Sequence, residues 1–121
     1  MTAAYQELSR TFQRLARFGH LGAIAGVDMQ TTMPPGGSQA RGEAMAELSV
    51  FMHELLTDKR LGGLFDAAAQ ESLNDVEQAN LGEMQRAWRQ ATLLPASLVE
   101  AKSLAGSRCE HAWRSQRPAN D

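Results

Sequence analysis

Apolar residues recur along this chain in steps of three and four and rarely alternate, so the pattern predicts helices and no strands. Tyr5, Leu8, Phe12 and Leu15 line one face of a first helix, with Gln6, Arg10, Gln13, Arg14 and Arg17 falling mostly on the other side. Gly19 weakens that helix. A short second one is predicted over residues 20–29, where Leu21, Ile24 and Val27 repeat the spacing. Gly22, Ala23, Ala25 and Gly26 leave its other faces almost bare of bulk, which predicts a buried segment that a neighbouring helix approaches closely. The run TTMPPGG ends it, because Pro34 biases Met33 away from helical geometry and Pro34-Pro35-Gly36-Gly37 cannot continue a helix.

Ser38 is suited to cap the next helix, predicted to run to about residue 57 with Ala44, Met45, Leu48, Phe51, Met52 and Leu55 as its apolar stripe. Asp58 would cap a short helix over residues 59–69 that buries Leu61, Leu64 and Phe65. A longer helix over residues 73–92 carries Val76, Leu81, Met84 and Trp88. Pro95 suits the first turn of a last helix, since the N–H it lacks has no intrahelical partner there. Leu98, Ala101, Ala105, Cys109, Ala112 and Trp113 continue that helix, and Pro118 stops it. The expected fold class is all-α: about six helices in a single helical segment over residues 1–121, without repeats.

Composition narrows the class further. Hydrophobic residues are 43% of the chain and charged residues 21%, as in folded globular proteins rather than disordered ones. A net charge of −2 provides no basic footprint for nucleic acid or an anionic membrane, and neither is expected as a partner. No stretch approaches the ~18 consecutive apolar residues of a membrane span. The N-terminal residues are too polar for a secretory signal, and one cysteine excludes an internal disulfide framework. A cytoplasmic protein is expected.

Four stretches invite a chemical interpretation. HELLT, residues 53–57, is one ligand short of a helical zinc site, which needs two histidines four apart around a general-base glutamate. Thr57 stands at the second histidine position, so His53 and Glu54 are expected at the edge of an ordinary helix. Cys109, Glu110 and His111 are ligand-type residues, but positions two apart on a helix diverge. There an inert, buried Cys109 and an exposed His111 are expected. PPGGSQARGE places glycines before a helix start, yet no preceding strand and no Lys-Ser/Thr pair accompany it, so it reads as a connection rather than a phosphate loop. Acidic pairs such as Asp28 with Glu43 would do acid–base work only if the fold unites them. From the residues alone, no catalytic and no metal-ligating set is assembled.

The run VDMQTTMPPGGSQARGEAMAELS, residues 27–49, resembles the N-terminal region of the carboxypeptidase Taq family of zinc metallocarboxypeptidases. Asp28, Thr31, Met33, Pro34, Gly36, Gly37, Arg41 and Glu43 occupy the matching places. The similarity extends to Tyr5–Leu8, to LLPASLV at residues 93–99, and to AWRSQRPAND. In that last block Trp113, Arg117, Asn120 and Asp121 fit a Trp-x-x-x-Arg-x-x-Asn-Asp pattern. Val27 stands where the family usually has Trp, and Gln116 where a small residue is more usual.

The resemblance implies a larger helical metallopeptidase of which these residues are the N-terminal scaffold and groove-wall helices. Its zinc helix, with His-Glu-x-x-His and a further glutamate ligand, lies beyond the position of Asp121. The implied activity is zinc-assisted removal of C-terminal residues from peptides, and this segment alone is expected to be inactive, with apolar helix faces that self-associate. Its close at RPAND is expected to be an interruption of a longer polypeptide. The alternative is a stand-alone helical interaction module without catalysis. The candidate substrate-binding residues are Asp28 and Arg41, which flank the rigid turn; an arginine can grip a substrate carboxylate with two parallel hydrogen bonds. The competing role is a mutual ion pair, or a cap on a neighbouring helix.

Overall fold

The computed structural model describes residues 3–120, all placed in helices or short connections. Five α-helices follow in order: α1 (Ala3–Thr31), α2 (Ser38–Leu56), α3 (Arg60–Ala69), α4 (Asp75–Thr92) and α5 (Ala96–Ala119). A 3₁₀ turn, Pro35–Gly37, precedes α2. The fold is all-α, and no strand occurs among the described residues.

The core sits at one end, around the start of α1. Leu8 and Phe65 are its largest fully buried side chains, joined by Ala4, Tyr5, Leu61 and Ala68. Phe12, Leu64, Leu73, Leu81, Met84 and Trp88 close over this cluster from α1, α3 and α4 and the segment between those two. Trp88 tilts against Phe65 with ring centroids 5.3 Å apart, and its ring edge lies over Gly62, where a Cβ would stand 3.5 Å away. Tyr5 completes its polar end through its hydroxyl, which accepts a hydrogen bond from the Asn80 amide at 3.2 Å.

Two helix starts here are capped by side chains. Asn74 and Glu77 form a reciprocal capping box at α4, each side chain accepting from the other's backbone N–H. Glu71, from the segment between α3 and α4, accepts from the N–H groups of Ala4 (2.8 Å) and Tyr5 (3.3 Å) at the start of α1. A carboxylate favours the positive end of a helix dipole and occupies donors that the helix cannot satisfy itself.

The break expected at Gly19 does not occur: α1 runs through it for 29 residues. A helical glycine costs only about 1 kcal/mol relative to alanine, and here packing offsets that cost. Gly19 and Gly22 face α2, where an added Cβ would lie 3.8 Å from Met52 and 3.5 Å from Leu48. Phe18 meets Phe51 edge-to-face at 5.1 Å, with the Arg14 guanidinium over both rings. The small-residue face therefore admits a neighbour, as the sequence predicts. The expected burial of Leu21, Ile24 and Val27 does not follow: they point away from α2 and are 57%, 54% and 64% exposed.

Helix α2 lies between α1 and α5 and runs antiparallel to both. Its contact with α5 is made by small residues. An added Cβ on Gly42 would come within 3.3 Å of Ser107, and the Ser49 and Ser103 hydroxyls meet at 3.5 Å. Of the apolar residues that carry α5, Leu98, Ala101, Ala105 and Cys109 are exposed and Ala112 is half-buried, as are Val99, Ser103, Leu104 and Ser107. Ser38 does not cap α2: it already has helical geometry as the first residue of α2, Gly37 holds the cap position, and the Ser38 N–H donates to the Pro35 carbonyl of the 3₁₀ turn. Asp58 does act at the start of α3, accepting from the Arg60 N–H at 2.9 Å. Helix α5 ends one residue past Pro118, where Asn120 adopts left-handed geometry at φ 58°.

Candidate functional site: the α1–α2 turn

The turn that joins α1 to α2 gathers the polar residues singled out in the sequence. The Arg41 guanidinium reaches back from the second turn of α2 to the end of α1. One terminal nitrogen donates to Asp28 at 2.6 Å, and the other donates to the Ala25 carbonyl at 2.9 Å. Asp28 is also bound on its other oxygen by the Thr32 hydroxyl, while its backbone carbonyl accepts from the N–H groups of Thr32 (3.0 Å) and Met33 (2.9 Å). The Thr32 hydroxyl, and then Arg41, hold the Asp28 carboxyl below the usual carboxylate range.

The last turn of α1 carries no basic residue of its own. Cations from other helices bind carbonyls towards this end instead: Arg41 of α2 binds Ala25, in the turn before the last, and Arg114 of α5 binds Met29 in the last turn. Both cations approach the negative end of the α1 dipole. Gln30 adds a third tie, donating to the Glu110 carboxylate on α5 at 3.0 Å. These contacts clamp α1, α2 and α5 together at one corner.

Of the two roles weighed for Asp28 and Arg41, the geometry realises the mutual pair. Both terminal nitrogens of Arg41 donate within the protein, and these two bonds fasten α1 to α2. Glu43 does not join Asp28; its carboxylate accepts from the Gln39 amide one turn earlier at 3.1 Å.

The other stretches are dispersed. HELLT forms the end of α2, where Thr57 is the cap: its hydroxyl and its N–H both donate to the His53 carbonyl, at 2.7 and 2.9 Å. Cys109 is exposed, against the expectation of burial, because its face of α5 points away from α2. His20 lies on α1, His53 near the end of α2 and His111 on α5. Among the described residues no group of three or more His, Cys, Asp or Glu side chains comes together to hold a metal ion. Asp121 lies outside the described residues.

Sequence reasoning missed the roles of Glu71, Arg114 and Glu110. Only Asn74 and Glu77 had left a local signal, the Asn-x-x-Glu spacing of a capping box.

Comparison with known proteins places this geometry in context. A family model described as carboxypeptidase Taq (M32) metallopeptidase matches residues 7–121. The thermostable carboxypeptidase 1 of Thermus thermophilus is 32% identical over 124 residues, covering 98% of this chain and 24% of that protein. Its namesake in Pyrococcus furiosus is 28% identical over 117 residues, covering 96% of this chain and 23% of that protein. Among solved structures, metallocarboxypeptidase 1 of Trypanosoma cruzi is similar with a TM-score of 0.79 at 40% identity, over 98% of this chain and 24% of that one. The chain thus spans about a quarter of the length of the relatives it matches, and that quarter is the N-terminal one.

Proposed function

The chain belongs to the carboxypeptidase Taq (M32) family of metallopeptidases, and from that premise we propose that it supplies scaffold and groove-wall helices to a carboxypeptidase while contributing no catalytic or metal-binding residue. The family implies a divalent metal in the complete protein, which we take to be zinc. Its ligands and general base would be supplied by polypeptide equivalent to the other three-quarters of the relatives. The substrate would be a peptide, shortened from its C-terminal end. A reducing compartment such as the cytoplasm suits the exposed Cys109.

One observation carries this proposal: the best-placed polar residues, Asp28 and Arg41, are spent on fastening α1 to α2. Isolated, the chain would be inactive and would self-associate through its exposed apolar faces as concentration rises.

Substitution of this chain for the matched quarter of the Thermus thermophilus relative tests the proposal. The chimera is expected to release C-terminal residues from peptides, whereas the 121-residue chain alone releases none. A folded but inactive chimera would overturn the scaffold role. Arg41→Ala in the chimera then separates fastening from substrate contact. Fastening predicts a lower melting temperature with KM unchanged; a raised KM at an unchanged melting temperature would make Arg41 a substrate contact.

A further inference from the structure

Residues 18–27, FGHLGAIAGV, form ten consecutive helical positions without an acidic or permanently charged side chain. On one side this stretch packs against α2 through Gly19 and Gly22. Opposite, where a surface helix ordinarily carries charge, stand Leu21, Ile24 and Val27, all more than half exposed and spaced to form one strip. A helix apolar on all sides belongs in an interior. Within the described residues, however, nothing covers this side.

Two features show that the strip is held ready rather than left over. The corner beside it is clamped by Arg41, Arg114 and the Gln30–Glu110 bond, so α1 presents the strip on a fixed support. The carboxylate at its C-terminal edge, Asp28, is already paired with Arg41, so covering that end of the strip would strand no unpaired carboxylate. The chain's fold recurs over 98% of its length in a solved relative, and about three-quarters of that relative lies outside the match.

Resting on the scaffold role proposed above, we infer that the Leu21–Ile24–Val27 face of α1 is a docking surface, and that its occupant is the polypeptide completing the family fold. The occupant should offer an aliphatic surface to Leu21, Ile24 and Val27, with polar groups only at its margins, where Arg17, His20 and Thr31 flank the strip. The ten-residue gap in charge is then a requirement of the interface.

Cysteine accessibility tests this in the Thermus thermophilus chimera, in a Cys109→Ser background. Ile24→Cys is expected to react with iodoacetamide about tenfold or more slowly in the chimera than in the dilute isolated chain. Val76→Cys, on the 70% exposed side of α4, is the companion probe. Equal Ile24→Cys rates in chimera and isolated chain would overturn the docking surface. Protection that appears only as the isolated chain is concentrated would identify a second copy as occupant and overturn it equally. An active chimera with an unprotected Ile24→Cys sinks the docking surface alone; a folded, inactive chimera with a protected one sinks the scaffold role alone. In the isolated chain, Ile24→Asp should keep the helical signal and urea midpoint of the parent. Unfolding by Ile24→Asp would show that the strip belongs to this chain's own core, which also overturns the inference.

Discussion

The two halves of α1 share one continuous helix and the same three- and four-residue apolar spacing, yet they meet opposite environments. The first half sends Tyr5, Leu8 and Leu15 inward, and Tyr5 and Leu8 pack with Leu61 and Phe65. The second half turns Leu21, Ile24 and Val27 outward and packs on its glycines instead. Periodicity thus fixes that a helix has an apolar face; which neighbour covers that face depends on the rest of the polypeptide.

The contrast can be broken most forcefully in the first half. Phe65→Ala removes the centre of the packed end and should cost about 3–5 kcal/mol, measured by urea unfolding of the isolated chain at a concentration where it is monomeric. Ile24→Ala, in the second half, should stay within about 0.5 kcal/mol of the parent, since an exposed site leaves no cavity. Comparable losses at both positions would erase the distinction.

The helix ends sharpen it on a smaller scale. Glu71→Ala strips the carboxylate from the start of α1 and should cost about 1 kcal/mol by the same measurement, a normal loss for a cap. Gly26→Ala should do the reverse. A Cβ there meets nothing within 4 Å in this chain, so the variant gains up to about 1 kcal/mol from helix propensity.

The smallest effect is one of pH. Because the folded Asp28 carboxyl lies below its ordinary value, the unfolded chain binds the proton more tightly. The contribution of Asp28 is complete above the ordinary aspartate range. It is lost as pH falls through that range and then through the lower folded value. Arg41→Ala should flatten this part of an acid-unfolding curve followed by circular dichroism. An acid limb of unchanged steepness would remove Arg41 from the account.

Much of the fold is legible in the residues. The helical spacing locates nearly every element, and Pro34-Pro35-Gly36-Gly37 marks the main turn. What escapes is interaction across distance. The closest approaches of α2 to α5 that can be named are Gly42 to Ser107 and Ser49 to Ser103, none of which carries the apolar signal that periodicity detects. Glu71 serves backbone groups more than sixty positions away, and Arg114 a carbonyl 85 positions away. Gly19 suggested a break because propensity is local, whereas the packing of α1 on α2 that keeps the helix whole is not. At the candidate site the mutual ion pair of Asp28 and Arg41 was already one of the two roles the residues offered, whereas the bond from Arg41 to the Ala25 carbonyl left no signal, because a backbone acceptor has no residue type to mark it.

The central claim is that this chain provides helical support and leaves the metal chemistry to other polypeptide. The most direct measurement is the zinc content of the isolated chain after equilibration with the ion and gel filtration. The account predicts far less than one zinc per chain; one tightly held ion per chain would contradict it.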